Sequence, residues 1–538
     1  MKRYLCLLIA IVVTLTMFSG CKRSEDEGQA IAGNVDSVAD TKPEQNTDTV
    51  GTPDTPEKQP ENTAPEPEQT PEQKPEPETP VQKPSATTPS YTLPEDADTD
   101  DIEEVIPEED VVTEPEVDEY NLPLEFKQNV GTKAKVVDIT KESFNLTQLQ
   151  LPKINLVVPG GENTINNTSY VRGTVSIENT EPQYTLKSTA VDIRGRGNST
   201  WLCFDKKPYK IKFLMKTDLF GMGAAKKWVL FACGCMDETM VRNALAYDLA
   251  KQLGVEYTTE YQYINLFLNG DYKGVYLLLE QQEEGDTRID VNTSKTGEID
   301  TGYFLEMWNN TWDTIDKPLF EMPKVNGIRT TAYCVIKSPD EKIIKNQQFT
   351  YIQDYILKTN EAILKKDWQK INELCDIDSF VNMFLVDTVF LNHDAGHSFY
   401  LYKRKGEKIC LGPIWDIDQS SGSSSHGGKS YMGWNIGSKH HWYRALIEIP
   451  EFRELVRNRY NENKDYIRGI VDRVDKIATK NAYDFGMSNY VYNNFGNPSR
   501  VKTMPEIVAL ESYADHLAYL RTWFTNRIIW LEANLEIK

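Results

Sequence analysis

The segment Phe390 to Gly422 reads FLNHDAGHSFYLYKRKGEKICLGPIWDIDQSSG, and the reading of the whole chain turns on it. An apolar helix closes on Asn392-His393-Asp394, a short hairpin follows, and an apolar strand then carries Trp415-Asp416-Ile417-Asp418 into a Ser/Gly-rich turn. Alternate residues of a strand point to one face, so the pattern predicts Asp416 and Asp418 side by side. Two hard carboxylates so placed suit Mg²⁺, Asp416 as first ligand and Asp418 as second. Asp394, in a loop at the helix end, is the candidate base. The plainer roles are a turn or cap aspartate for Asp394, and a structural calcium site or solvated turn carboxylates for the pair.

Working outward, Lys2 and Arg3 precede an apolar run from Tyr4 to Phe18, closed by Ser19-Gly20-Cys21. This resembles a bacterial lipoprotein signal over residues 1–20, with Cys21 as the lipidated first residue of the mature chain. The run is shorter than the roughly 20 residues a bilayer span needs, so membrane contact is expected through lipid only. Lys22 to Glu119 then holds 6 Lys/Arg against 29 Asp/Glu, 15 of the 27 prolines and one aromatic, Tyr91. Such a composition cannot bury a core, and its like charges keep it extended, so residues 21–120 are expected to be a disordered acidic stalk. Glu25-Asp26-Glu27, just after the cysteine, hints at export to the cell surface.

The stalk accounts for the charge of the chain. Of the net −22, residues 22–119 carry −23, which leaves residues 121–538 at −1. A nearly neutral folded part offers no footprint for nucleic acid. Cys203, Cys233, Cys235, Cys334, Cys375 and Cys410 have no zinc spacing, and export permits disulfides without the spacings declaring any. A metal-dependent hydrolase is disfavoured, because there is no His-x-His or His-Glu-x-x-His array.

The fold class is α+β, with a strand-rich first half and a helix-rich second half. Ile154 to Val158, Tyr170 to Ile177, Val191 to Arg194 and Tyr209 to Phe213 read as strands, the last alternating so that Lys210 and Lys212 share a face. Met240 to Leu253 reads as a helix stopped by Gly254 and capped by Asp237 or Thr239. Asn269-Gly270 turns a hairpin between Tyr263–Leu268 and Tyr272–Glu280. Ile352 to Leu364, Ser379 to Leu391, Pro450 to Ile477 and Met504 to Leu535 read as helical. The expected divisions are a β-rich segment at 121–190, a core at 191–425 and a helical extension at 426–538.

Arg194-Gly-Arg-Gly-Asn-Ser-Thr-Trp201, Lys206-Lys-Pro-Tyr-Lys-Ile-Lys212, Trp228-Val-Leu, Asp237-x-Thr239 with Arg242-Asn243, Asn269-Gly-x-Tyr-x-Gly-x-Tyr276 and Trp415-Asp-x-Asp418 stand in this order. Together, over roughly residues 150–425, they resemble the spore-coat CotH-type kinase family. The resemblance implies an atypical protein-kinase-like two-lobed fold, ATP with Mg²⁺ or Mn²⁺, and transfer of phosphate to extracytoplasmic proteins. Asp394 would then orient the acceptor hydroxyl while metal and cations neutralise the phosphates. Lys210 or Lys212 would face the phosphates, with Arg194, Arg196 and Asn198 of the glycine loop nearby. Glu280 or Glu306 would pair with the lysine, Trp308 would stack on adenine, and Arg242 would meet a phosphate or a core carboxylate. The plainer roles are solvated strand lysines and a core tryptophan.

One position departs from the family. Where an asparagine assists the metal, this chain has Ser398, a poorer ligand than an amide oxygen, and the adjacent His397 prefers softer metals. A second function class therefore stays open: a weak or inactive kinase-like scaffold serving as a surface adhesin or glycan-binding lipoprotein. Ser423 to Gly428 with Tyr431, Trp434, His440, His441 and Trp442 would supply its aromatic platform.

Overall fold

The computed structural model describes residues 130–536 apart from Asn198, 309–316, 324–332, His393, His397, 424–429, 435–439, 493–494 and 496–504. Cys21, the signal and the acidic stalk lie outside the described residues. Residues 120–538 belong to one compact unit.

Seven strands close a barrel: β1 (Lys153–Val157), β2 (Val171–Glu178), β3 (Leu186–Gly195), β4 (Tyr209–Thr217), β5 (Ala225–Ala232), β6 (Tyr261–Leu268) and β7 (Asp271–Glu280), in the order β1-β2-β3-β4-β5-β7-β6. Closure comes from β1 lying parallel to β6, with Lys153 opposite Asn265, while its other edge is antiparallel to β2. Period-two burial follows the alternation in sequence: Tyr209, Ile211 and Phe213 of β4 are buried, and Lys210 and Lys212 face outward. Ile154, Val175, Val191, Ile211, Trp228, Leu266 and Leu278 fill the interior. At the β6–β7 hairpin, Asn269 and Gly270 take φ of 52° and 92°, the left-handed backbone expected of that pair.

A second, antiparallel sheet is built from β8 (Tyr303–Trp308), β9 (Leu319–Glu321), β10 (Tyr333–Ser338), β11 (Ser398–Lys403) and β12 (Ile409–Leu411), ordered β12-β11-β8-β10-β9. The described helices are α1 (Ser199–Cys203), α2 (Arg242–Gln252), α3 (Asn346–Leu364), α4 (Trp368–Leu374), α5 (Ile377–Phe390), α6 (His441–Ile447), α7 (Pro450–Glu462), α8 (Lys464–Arg468), α9 (Ile470–Lys480), α10 (Ala482–Tyr492), α11 (Pro505–Val508) and α12 (Tyr513–Asn534). The main core joins the outer barrel wall (Val229, Phe231, Leu277, Leu279) to α2, to Leu305, Met307 and Leu401 of the second sheet, and to α5 and α12. The mixed class and the strand-rich, then helix-rich, order hold. Among the described residues no helix is long and apolar enough to cross a membrane, and no disulfide joins the six cysteines.

Helix α5 delivers the carboxylate loop. Asp376 caps its start by accepting from the Ser379 amide, worth about 1 kcal/mol. Every residue from Phe380 to Phe390 is buried, and a helix apolar all round belongs in the centre of a core. At its end Leu391 takes the left-handed conformation, φ 48°, and turns the chain towards Asn392 and Asp394. Before β1, residues 130–151 run as a strap over the C-terminal helices. The Val130 amide donates to Thr522 Oγ1, Thr132 Oγ1 donates to Asp475, and the Gln150 and Leu151 amides donate to Asp484.

Several expectations are corrected. The Asp-x-Asp segment is not a strand: β12 stops at Leu411, and Asp416 has φ 61°. The helix expected from Met240 begins at Arg242, because Met240 itself is left-handed, φ 60°; its N-cap is Val241, without a side-chain cap, and neither Asp237 nor Thr239 holds that position, although Asp237 Oδ2 accepts from the Arg242 amide. Pro450 to Ile477 is broken into three helices, and α10 extends the helical half beyond the expected segments. His440, His441 and Trp442 are fully buried, so they form no sugar-binding surface; His440 stacks between Phe399 and Tyr443.

Candidate active site

The Asp-x-Asp loop is held from α2. Asn243 Oδ1 accepts from the Ile417 amide at 2.9 Å, between the two aspartates. The Arg242 guanidinium donates to the carbonyls of Ser420 (3.1 Å) and Ser421 (3.2 Å) and pairs with buried Asp237. A left-handed non-glycine residue such as Asp416 costs on the order of 1–3 kcal/mol and persists only where its surroundings over-determine it; these clamps do so. Burial raises the carboxyl of Asp416, opposed by Arg196. Asp418 is raised well above the usual carboxylate range, by burial first and then by Asp416, Asp394 and Asp237. Asp416, Asp394 and Asp237 thus all lie within electrostatic reach of Asp418.

Asp394 is fixed on both sides. Its amide donates to Asn392 Oδ1 at 3.1 Å, and Gln419 Nε2 donates to its Oδ2 at 2.9 Å. Asn392 is anchored in turn: its Nδ2 donates to Asp387 Oδ1 and its amide to the Asp387 carbonyl, each at 2.9 Å. Tyr443 donates to the second Asp387 oxygen at 2.9 Å.

Cations gather on the outer barrel wall. The register sets Arg194 opposite Lys210 on β3 and β4. Lys210 is pushed down to about 7 by burial, then by Lys227 and Arg194, with Glu283 opposing and Arg196 adding to the repulsion. Arg196 stacks 5.4 Å from the ring of Trp415, beside Asp416. Arg194 and Lys212 instead flank Tyr170, at 5.3 and 5.8 Å. Tyr400 of β11 is raised by burial and by Glu306, with Arg196 and Asp416 within electrostatic reach. Tyr247 of α2 is raised by burial, then by Asp416 and Asp418. One site therefore brings together β3, β4, α2, the second sheet and both carboxylate loops.

The family model described as CotH kinase protein matches residues 193–531. The chain belongs to the CotH kinase family. No curated protein matches it. The CotH match starts in β3 and ends in α12, so the helices after residue 425, expected as an extension, fall within the family domain.

Not every expected residue of this CotH domain joins the site. Glu280 lies opposite Trp228, whose ring fills the barrel interior, whereas Lys210 lies opposite Val229 on the outer face. Opposed residues share a face, so Glu280 points away from Lys210. It pairs with Arg288 at 2.7 Å and is pushed up to about 7 by burial. Glu306 pairs with Lys337 at 2.7 Å on the cleft side. Trp308 is level with Ser398 across β8 and β11, and its Nε1 is buried without a partner among the described residues. Asn198, His397 and the side chain of Ser398 lie outside the described part. Sequence reading missed Gln419, Asp387 and Tyr443; the only local signal was a Gln directly after the Asp-x-Asp.

Among the described residues no group of three or more His, Cys, Asp or Glu side chains is arranged to hold a metal ion. The donor chemistry nevertheless suits a divalent cation bound by a carboxylate pair, with further ligands from phosphate and water, as Mg²⁺ prefers. Burial raises both carboxyls, and Asp416 adds to the rise of Asp418; a divalent cation held by the pair would offset that cost. The repulsion that depresses Lys210 suits a polyanion in the same way.

Proposed function

We propose that this CotH-family chain is an exported protein kinase, anchored to a bacterial membrane through lipid on Cys21, that transfers phosphate from ATP to extracytoplasmic or surface proteins. The observation that carries it is the meeting of two clusters of opposite sign, each repulsive within itself: Asp416, Asp418 and Asp394 on one side, and Lys210, Arg196, Arg194 and Lys227 on the other. Phosphoryl transfer asks for this pairing of sites, one for a divalent cation and one for phosphate oxygens.

In this reading Asp416 and Asp418 would hold Mg²⁺ or Mn²⁺, which would supply positive charge beside the transferred group. Lys210 and Arg196 receive the phosphates, with Arg194 and Lys212 further out around Tyr170. The barrel serves as one lobe and the helical part as the other, with nucleotide between the β3–β4 wall and the second sheet and Trp308 available to adenine. Asp394 accepts the hydrogen bond of the acceptor hydroxyl and takes its proton as the oxygen attacks the terminal phosphorus, while the bond from that phosphorus to the bridging oxygen breaks and ADP leaves. Gln419 Nε2 donates to Asp394 Oδ2 and holds the carboxylate beside the Asp-x-Asp loop. Ser398 stands where the family asparagine would assist the metal.

The test is a pair of measurements on the full chain: the unfolding midpoint with millimolar ATP and Mg²⁺ or Mn²⁺, and transfer of labelled phosphate. A ligand that selects the folded state raises the midpoint, so a metal-dependent shift with phosphate incorporation is expected. No shift in a well-folded sample sinks the nucleotide reading. A shift without transfer to itself or to surface proteins leaves the inactive scaffold.

A further inference from the structure

The catalytic reading above rests on Asp394, whose side chain meets Gln419 of the Asp-x-Asp loop and whose backbone is held from the other side. The loop's geometry is set one step back, by Asn392. A primary amide has two ends of opposite character, and either could face either neighbour by a half-turn. Here the oxygen accepts from the Asp394 amide at 3.1 Å, and the nitrogen donates to Asp387 Oδ1 at 2.9 Å. A carboxylate can only accept, so Asp387 allows one orientation of the Asn392 amide, the one that presents oxygen to Asp394.

Asp387 is held just as strictly. It sits on the last turn of α5, 3 % exposed, and its second oxygen accepts from Tyr443 at 2.9 Å. Tyr443 is wedged edge-on against Phe384 of the same helix, ring centroids 5.1 Å apart, and stacked on His440 at 3.7 Å. The chain of contacts is closed off from solvent: Asn392 is 2 % and Tyr443 1 % exposed. At its far end Gln419, next to Asp418, holds Asp394 Oδ2. Asp394 therefore stands between a buried anchor on its backbone side and the Asp-x-Asp loop on its side-chain side.

We propose that Asp387 is a positioning residue for phosphoryl transfer, acting through Asn392 to aim the Asp394 carboxylate, with Tyr443 fixing Asp387. This inference depends on Asp394 being the base, whereas the hydrogen-bond order behind it does not. The competing role is purely structural: Asp387 would simply satisfy donors at the end of α5, and its loss would lower stability without touching the chemical step.

The experiment uses the full chain in three forms: Asp387→Asn, Tyr443→Phe, and the reciprocal pair Asp387→Asn with Asn392→Asp. In the first, an NH₂ and an oxygen replace two acceptors; the Tyr443 hydroxyl can turn to accept from the NH₂ or donate to the oxygen, so either end of the new amide can face Asn392 and the Asn392 amide is no longer held in one orientation. In the pair, the donor and the carboxylate exchange places, and the Asp394 amide again meets an oxygen. Phosphate transfer is followed for kcat and for KM of ATP, and hydrogen exchange is followed at the Asp394 amide. Asp387→Asn is expected to lower kcat by about 100-fold, the order of effect of a displacement of about 1 Å at a reacting group, with KM for ATP unchanged. Exchange at the Asp394 amide should quicken, and the reciprocal pair should recover both readouts. Tyr443→Phe, the milder change, should shift both in the same direction if Asp387→Asn fails to fold. Wild-type kcat in either single variant, a loss of kcat with unchanged exchange at Asp394, or no recovery in the pair overturns the proposal. A wild-type chain that transfers no phosphate refutes the kinase reading, and the exchange readout then decides the Asp387–Asn392 link by itself.

Discussion

Replacing Lys210 by methionine should stabilise the unliganded protein, and by an amount that depends on pH. Lys210 is pushed from 10.5 to about 7 by burial and by Lys227 and Arg194. In the unfolded chain the amine keeps its ordinary affinity for protons. Between pH 7 and 10 the unfolded state therefore binds more protons, and stability rises with pH. The shifted lysine costs the fold about 5 kcal/mol well below pH 7, about 4 kcal/mol at pH 7, about 2 kcal/mol at pH 9, and nothing well above 10.5. Methionine keeps most of the apolar stem and carries no charge. The gain from Lys210→Met should thus be largest at and below pH 7 and shrink by about 2 kcal/mol between pH 7 and pH 9. Urea unfolding of both proteins at the two pH values measures it. The same variant should lose the metal-dependent stabilisation by ATP. A gain of equal size at both pH values, or a less stable variant at pH 7, would refute the picture of a cation held in place for an absent polyanion.

Asp416→Asn should weaken both ATP-dependent stabilisation and transfer, whereas Asp394→Asn should abolish transfer and leave the thermal shift intact; equal small effects would make both loops scaffold. Ser398→Asn restores the family ligand and should raise the transfer rate, read as labelled phosphate incorporated per minute. Arg242→Met strands Asp237 and the Ser420 and Ser421 carbonyls, and should cost about 3–5 kcal/mol in urea unfolding; a loss under about 1 kcal/mol would show that the clamp is unimportant. Cys21→Ala should leave the chain unprocessed or release it from membranes, and a cleaved mutant that still sediments with membranes would contradict lipid anchoring.

What the sequence made legible was local. The alternation in β4 placed Lys210 outward, Asn269-Gly270 declared its hairpin, and the apolar run ending in Asn392 marked α5 and the loop after it. What it hid depends on partners far along the chain. The left-handed backbone of Asp416 is secured by Arg242 and Asn243, some 174 to 178 residues earlier in the contacts they make. Period two therefore predicted a strand where tertiary clamps impose a turn. His440 and Trp442 read as a polar-aromatic surface because burial of imidazole leaves no trace in composition. Glu280 looked available to a lysine until the barrel register set it on the inner face, beside Arg288.

The strap over the C-terminal helices bears on how the domain is made. Val130 meets Thr522, 392 residues later, and Thr132 meets Asp475 across 343. Residues 130–132 therefore leave the ribosome long before the residues they bond, which are among the last to follow. Loops of that length close slowly, and a chain dominated by such pairings completes its fold only when all of it is present. Synthesis alone cannot finish this domain from its N-terminal end. Until α12 emerges, the segment ahead of β1 stays unlatched, a state open to chaperones.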